Sequence, residues 1–181
     1  MKKFGFKTVC LMLLLAVATV GLTSCSTTSV GTQYNAICNI GAGAKIVGII
    51  VFDVAGVSVS GHVIHEGSNQ QWEMVQGAEK PYFKFKNRNS GKFLQVNSGK
   101  LIQADENNSE EQLWMMDTNI DKDGKHKGEF LLKNKGNGNA QLVKAVLNET
   151  YQFLCDFELV NYPASPDTDE SLHFKLKKIF E

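Results

Sequence analysis

From Tyr34 onward, apolar and polar positions alternate in short runs, and turn residues fall every few positions. Tyr82-Phe83-Lys84-Phe85-Lys86 alternates apolar with charged, the period of a strand that buries one face. Asn87-Arg88-Asn89-Ser90-Gly91 turns the chain, Phe93-Leu94-Gln95-Val96 runs back, Asn97-Ser98-Gly99 turns again, and Leu101-Ile102-Gln103 is a third strand. A polar turn over 105–109 then leads into Gln112-Leu113-Trp114. No stretch shows a convincing 3.6-residue period. The Val/Ile-rich run 46–59, punctuated by Gly48, Asp53 and Gly56, predicts a pair of strands rather than a membrane span, and 61–65 predicts a further extended piece.

Gln112-x-Trp114 has a precedent in Gln70-Gln71-Trp72, and these are the only two tryptophans, 42 positions apart. A recurrence at that distance signals a repeat architecture. A buried indole still needs an acceptor for its N–H. A Gln two positions earlier, on the same face of an extended chain, can satisfy backbone groups that a turn leaves unpaired. A third unit follows the long polar connection 117–128. Phe130-Leu131-Leu132-Lys133-Asn134 repeats the register of Phe83 to Asn87, Gly138 matches Gly91, and Leu142-Val143 answers Leu94-Gln95 after a one-residue insertion. An insertion over 161–170 precedes Leu172-His173-Phe174, where Phe174 stands for the tryptophan and Leu172 for the glutamine. The first unit fits the frame with Tyr34, Asn39 and Gly43 against Phe83, Asn87 and Gly91. Three four-stranded units, each ending in a buried aromatic (Trp72, Trp114, Phe174), predict a barrel capped by hairpins over 34–181.

The two ends change the chemistry. Lys2, Lys3 and Lys7 precede an apolar run over 9–20 that is short for a membrane helix, and Leu22-Thr23-Ser24-Cys25 follows. That sequence resembles the lipobox of bacterial lipoproteins; an ordinary secretory signal with an adjacent cysteine is the rival reading. The resemblance implies a signal peptide over 1–24, a lipidated Cys25 that anchors the mature protein to a membrane, and a polar tether over 25–33. Loss of the leader lowers 19 basic residues to 16 against 19 acidic ones, so the mature net charge is −3. No basic surplus remains to attract nucleic acid. Cys10 leaves with the leader and Cys25 is spent on lipid. Cys38 and Cys155 remain, and a disulfide and two separately buried thiols both fit their spacing.

Asn87-Arg88-Asn89-Ser90-Gly91-Lys92-Phe93-Leu94 and the paired Gln-x-Trp motifs resemble the ricin B-type β-trefoil lectin domain. The resemblance implies an all-β trefoil with a shallow sugar pocket per repeat. Each pocket would hold an acidic residue after the first hairpin, an aromatic platform from a later strand, and an amide near Gln-x-Trp. In the first unit Asp53, His65 and Asn69 fill those roles, with Gln70 behind them. In the second, Gln95 stands where the acid is expected, Glu111 replaces the amide, and Asp105 is the nearest substitute. The third offers Lys144, Asn148, Tyr151 and Phe153 without a recognisable arrangement. The expected function is therefore carbohydrate binding by a membrane-anchored lipoprotein of the cell envelope, Ser26 being compatible with sorting to an outer membrane. The alternative is a protein-interaction or structural module with eroded sugar sites, contacting an envelope partner through the loops at 117–128 and 161–170.

Neither catalysis nor a cofactor is expected. The four histidines (His62, His65, His126, His173) are not placed with a nucleophile in any recognisable spacing. His62 and His65, three apart on a strand, should face opposite sides, which disfavours a metal pair. The 121–124 turn lacks the later oxygen ligands of a calcium loop.

Overall fold

The computed structural model describes residues 32–41, 50–120, 125–148 and 154–179. The leader, Cys25, most of the tether, Gly43, the 121–124 turn, Tyr151 and Phe153 lie outside them. Among the described residues, twelve strands fall into three sets of four. The first set is β1 (Tyr34–Asn39), β2 (Ile50–Ala55), β3 (Ser58–Val63) and β4 (Trp72–Gln76); the second is β5 (Phe83–Asn87), β6 (Phe93–Asn97), β7 (Lys100–Ala104) and β8 (Trp114–Asp117). The third is β9 (Phe130–Asn134), β10 (Gln141–Leu147), β11 (Leu154–Asn161) and β12 (His173–Ile179). All pairings are antiparallel. β1, β4, β5, β8, β9 and β12 close a barrel, each paired with the next and β12 with β1. The hairpins β2–β3, β6–β7 and β10–β11 meet in a triangle through Ser58 opposite Ile102, Lys100 opposite Glu158, and Cys155 opposite Gly61.

The threefold frame repeats residue by residue. Trp72 pairs with Asn87, Trp114 with Asn134, and Phe174 with Asn39. Within each repeat the same aromatics pair with Asn35, Phe83 and Phe130. Trp72, Trp114 and Phe174 are fully buried in one cluster with Ile37, Phe52, Phe85 and Leu132. The Trp72 indole N–H donates to Phe52 O at 3.3 Å and that of Trp114 to Leu94 O at 3.0 Å. Phe174 has no donor to satisfy and sits instead among the rings of Phe52, Phe157 and Phe130, 5.6–6.4 Å away.

Three buried asparagines bind each repeat to the one before it. Asn87 Nδ2 donates to Asn69 O at 2.9 Å, Asn134 Nδ2 to Glu111 O at 2.9 Å, and Asn39 Nδ2 to Ser171 O at 2.9 Å. The accepting residues are themselves equivalent, each three positions before its buried ring in the chain. The first strand of each repeat therefore clamps the backbone of the turn that precedes the aromatic of its neighbour.

This register corrects four expectations. Asn35, not Tyr34, is the counterpart of Phe83, because Asn35 and Phe83 both stand opposite the tryptophan of their repeat. Leu142 faces Lys133 as Phe93 faces Lys86, so Val143 and Lys144 take the places of Leu94 and Gln95, and the hairpin insertion is two residues. The 61–65 segment is not a separate strand. Gly61 lies inside β3, where an added Cβ would stand 2.1 Å from Cys155 Sγ; it allows close approach to β11 rather than breaking the strand. The motif glutamines are not in extended chain, since Gln70 and Gln112 end the 3₁₀ turns Ser68–Gln70 and Glu110–Gln112.

Cys38 and Cys155 are separate free thiols, in different apolar clusters. Burial pushes the Cys38 thiol up to about 11 and that of Cys155 up to about 12, so both stay protonated at neutral pH.

Candidate functional site

The first repeat gathers Asp53, His65, Asn69 and Gln70 around one carboxylate. Asp53 lies in β2 and is only 8% exposed, yet both its oxygens are hydrogen bonded. Asn69 Nδ2 donates to Oδ1 at 2.7 Å, while Gln70 Nε2, at 2.7 Å, and His65 Nε2, at 3.1 Å, reach Oδ2. Gln70 is fully buried and works in both directions. Its Oε1 accepts from the backbone N–H groups of His65 (2.8 Å) and Glu66 (3.2 Å), and its Nε2 also donates to Val63 O. Glu66 takes a left-handed conformation (φ 58°), which turns the chain so that two consecutive N–H groups converge on that one oxygen.

The proton positions in this cluster follow from its partners. Gly67 N donates to His65 Nδ1 at 3.2 Å, so Nδ1 carries the lone pair and Nε2 carries the proton that goes to Asp53. The imidazole is thereby fixed as a neutral ring beside the carboxylate, with 48% of its side chain exposed to solvent. His62 lies on the same side, its ring 5.9 Å from that of His65 and nearly perpendicular. The expectation that the two histidines face opposite ways is therefore wrong. Strand alternation ends with β3 at Val63, and the following turn swings His65 back over β2. Donor atoms of Asp53, His62 and His65 all lie within 4.8 Å of one another. The His65–Asp53 contact is filled by a proton, however, and two side-chain amides take further carboxylate lone pairs.

The second repeat reproduces the frame with different chemistry. Gln112 Oε1 accepts from Asn107 N at 3.1 Å, as Gln70 does from His65 N, and Gln112 Nε2 donates to Gln95 Oε1 at 3.0 Å. Asn107 Nδ2 also donates to Gln95 Oε1, at 3.0 Å. Asn107 thus holds the position of His65 and Gln95 that of Asp53. A planar amide replaces the ring and a neutral amide the carboxylate, and Glu111 offers no N–H where Asn69 does. Asp105, the expected substitute, is elsewhere. Its carboxylate is exposed and 3.3 Å from Lys92 Nζ, and only its backbone carbonyl touches Gln112. Sequence reasoning missed Asn107, although it follows His65 by 42 positions, the same interval that separates the tryptophans.

The third repeat closes on itself. Lys144, at the position of Asp53, forms an ion pair with Asp169 Oδ2 at 2.9 Å. Asp169 Oδ1 also accepts from the backbone N–H and the hydroxyl of Ser171. Burial pushes the Asp169 carboxyl up, but the bonds from Ser171 and Lys144 outweigh it and hold the group below the usual carboxylate range. Leu172, replacing the motif glutamine, packs with Ile120, Leu131 and Leu142. Asn148 directly follows β10, with its N–H on Leu154 O.

No curated protein sequence matches the chain. Residues 68–145 match the family model described as ricin-type beta-trefoil lectin domain-like. Among solved structures, the chain is similar to the designed threefold-symmetric protein ThreeFoil, at 19% identity and a TM-score of 0.60 over 79% of this chain and 96% of that one. It is similar to SeviL bound to asialo-GM1 saccharide, at 19% identity and a TM-score of 0.58 over 82% and 99%. It is also similar to the Macrolepiota procera ricin B-like lectin in complex with lactose, at 17% identity and a TM-score of 0.57 over 81% and 95%. Three equivalent turns over three buried aromatics, two of them in Gln-x-Trp motifs, build a β-trefoil, and residues 68–145 of it are similar to the ricin-type beta-trefoil lectin domain-like family.

Proposed function

We propose that this chain is a carbohydrate-binding module with one competent site, in its first repeat, carried on a lipid-anchored protein of the bacterial envelope. The observation that supports the reading is the Asp53 cluster. A carboxylate offers about four lone-pair sites, and Asn69, Gln70 and His65 use three, one of them on Oδ1. A sugar hydroxyl donates to the lone pair left on Asp53 Oδ1, and the side-chain oxygen Oδ1 of Asn69 accepts from a second. The exposed face of the neutral His65 ring packs against the apolar C–H face of the pyranose. Asp53, Gln70 and His65 are each held by more than one bond before ligand arrives, so little ordering is required on binding. The second site lacks a ring and an anion, and the third is occupied by its own ion pair. The saccharide-bound lectin neighbours and the family match are in keeping with this chemistry.

The leader residues Lys2, Lys3, Lys7 and Leu22-Thr23-Ser24-Cys25 support the anchor, with Ser26 in keeping with an outer-membrane address. One experiment tests binding and anchoring together. The full chain is expressed in bacteria, and membranes and soluble fractions are each exposed to a broad glycan and polysaccharide panel at up to ~1 mM, where about 4 kcal/mol of binding is half-saturating. Wild-type protein is expected in the membrane fraction and captures glycan. His65→Ala stays in the membrane and loses capture; Cys25→Ser becomes soluble and keeps it. Folded wild-type protein that captures no glycan overturns the lectin reading in favour of a protein-binding module. A Cys25→Ser variant that remains membrane-bound overturns the anchor.

A further inference from the structure

A second convergence of side chains lies where the third repeat begins, away from the proposed sugar site. Residues 125–128 form a turn in which Glu129 N donates to His126 O at 2.9 Å and Gly128 is left-handed (φ 77°). The turn brings the side chains of His126 and Glu129 to one side, where β12 presents His173, the residue that follows the 3₁₀ turn Glu170–Leu172. His126 Nδ1 is 3.0 Å and His173 Nδ1 3.1 Å from the same Glu129 oxygen, Oε2. One ligand atom from each of the three residues lies within 4.8 Å of the other two, and the two rings stand at 89° with centroids 4.7 Å apart.

The deciding contact is on the far side of His173. Its Nε2 is 2.9 Å from the carbonyl oxygen of Pro166, which can only accept, so Nε2 carries a proton. In a neutral ring Nδ1 then carries a lone pair, and that lone pair points at a carboxylate oxygen 3.1 Å away. The ring is completely buried and Glu129 nearly so, with 14% of its side chain exposed. Two lone pairs at that distance repel unless a cation lies between them. Either a proton is shared between His173 and Glu129, as imidazolium with carboxylate or imidazole with carboxylic acid, or a metal ion takes the site. His126 Nδ1 converges on the same oxygen, so a single metal ion would take one ligand atom from each of the three groups. A tetrahedral ion with bonds of about 2.0–2.2 Å sets its ligand atoms roughly 3.3–3.5 Å apart, close to the two separations seen. The carbonyl that accepts from the other ring nitrogen is the usual orienting partner of a metal-bound histidine.

We propose that His126 Nδ1, Glu129 Oε2 and His173 Nδ1 bind a divalent transition-metal ion of the zinc class, with water completing the coordination. The donor set of two imidazoles and one carboxylate suits zinc better than calcium or magnesium, which prefer all-oxygen shells. The ion ties the 125–128 turn to β12 and, through the Pro166 carbonyl, to the 166–168 turn of the long insertion. The Asp53 cluster differs in the point that matters, because the nitrogen of His65 that faces Asp53 already carries a proton.

The full chain, stripped with chelator and solubilised in detergent, is titrated with Zn²⁺ and with Co²⁺. Thermal unfolding and the visible Co²⁺ spectrum are followed, and folding is checked by far-UV circular dichroism. Wild-type protein is expected to take up one equivalent that raises the unfolding midpoint and gives Co²⁺ bands of tetrahedral or five-coordinate character. His126→Ala, at a half-buried turn position, and Glu129→Gln each remove that equivalent or weaken it by at least the roughly 10–100-fold that loss of an orienting partner costs. His65→Ala retains it. Zinc uptake that is absent from wild-type protein, or unchanged in both His126→Ala and Glu129→Gln, overturns the proposal.

Discussion

Asp53 shows how much a single carboxylate is asked to do at the residue scale. Two amide N–H groups and one imidazole N–H are aimed at it from residues 65–70, and each donor is placed by a further bond to the backbone or to a neighbouring repeat. Asp53→Asn removes the charge and also turns an NH₂ group toward donors that cannot accept it. The expected result is a loss of about 1–3 kcal/mol of stability together with loss of glycan capture, read by denaturant unfolding and by the panel. An unfolding midpoint equal to that of wild-type protein contradicts the hydrogen-bond assignment. The residues of this cluster were legible in the sequence because their types match the roles that the family resemblance implies. Asn107 was not, because an asparagine in a polar turn is unremarkable until the imidazole of the preceding repeat is known to share its place. The His126–Glu129–His173 cluster was equally hidden, since residues 44 apart in sequence meet only through the pairing of β12 with β9.

At the scale of elements, each repeat solves one problem in its own way: how to satisfy the turn before the buried aromatic. The first two use a glutamine amide, while the third uses a leucine in an apolar cluster and the Asp169 carboxylate on Ser171. Strand positions were legible wherever alternation was clean, as in β5, β6 and β7. The register slipped where hairpin length changed, at Leu142 and Val143, and where a strand continued through a glycine, at Gly61. Neither insertion length nor close interstrand approach leaves a mark in local pattern. The β8–β9 pair carries its own titratable link. Asp117, at the end of β8, accepts from Lys133 Nζ of β9 and from Asn119 N at 3.0 Å. Burial pushes this carboxyl up, but the bonds from Lys133 and Asn119 outweigh it, so the folded value lies below the usual range. A depressed group stabilises the fold above its unfolded pKa of about 3.9 and loses that contribution as pH falls through the folded value. Asp117→Asn is therefore expected to be less stable than wild-type protein at neutral pH, by on the order of 1–3 kcal/mol, and to lose less stability on acidification below about pH 4. Urea midpoints of the two proteins measured down the pH scale check this; parallel curves contradict it.

At the scale of the whole molecule, the fold is threefold and the chemistry is not. The frame consists of three buried rings, three buried asparagines and a triangle of hairpins. It follows from positions the sequence spells out at Trp72 and Trp114 and spells less openly at Phe174. Within it, Asp53, Gln95 and Lys144 occupy one equivalent position and pass from anion to neutral amide to cation. A site that requires a carboxylate can survive at only the first. Fold alone does not deliver function; here the residue at one repeated position separates the proposed sugar site from two repeats that hold the frame without its carboxylate. The most direct measurement is a two-dimensional ¹H–¹⁵N NMR titration of the folded domain with a glycan captured in the panel. Saturable shifts are expected at Asp53, His62, His65, Glu66 and Asn69 and in the side-chain amide of Asn69, with resonances of Gln95, Asn107, Lys144 and Ser171 unmoved. Shifts of equal size in the second or third repeat, or shifts that leave the Asp53 cluster untouched, would contradict a single site in the first.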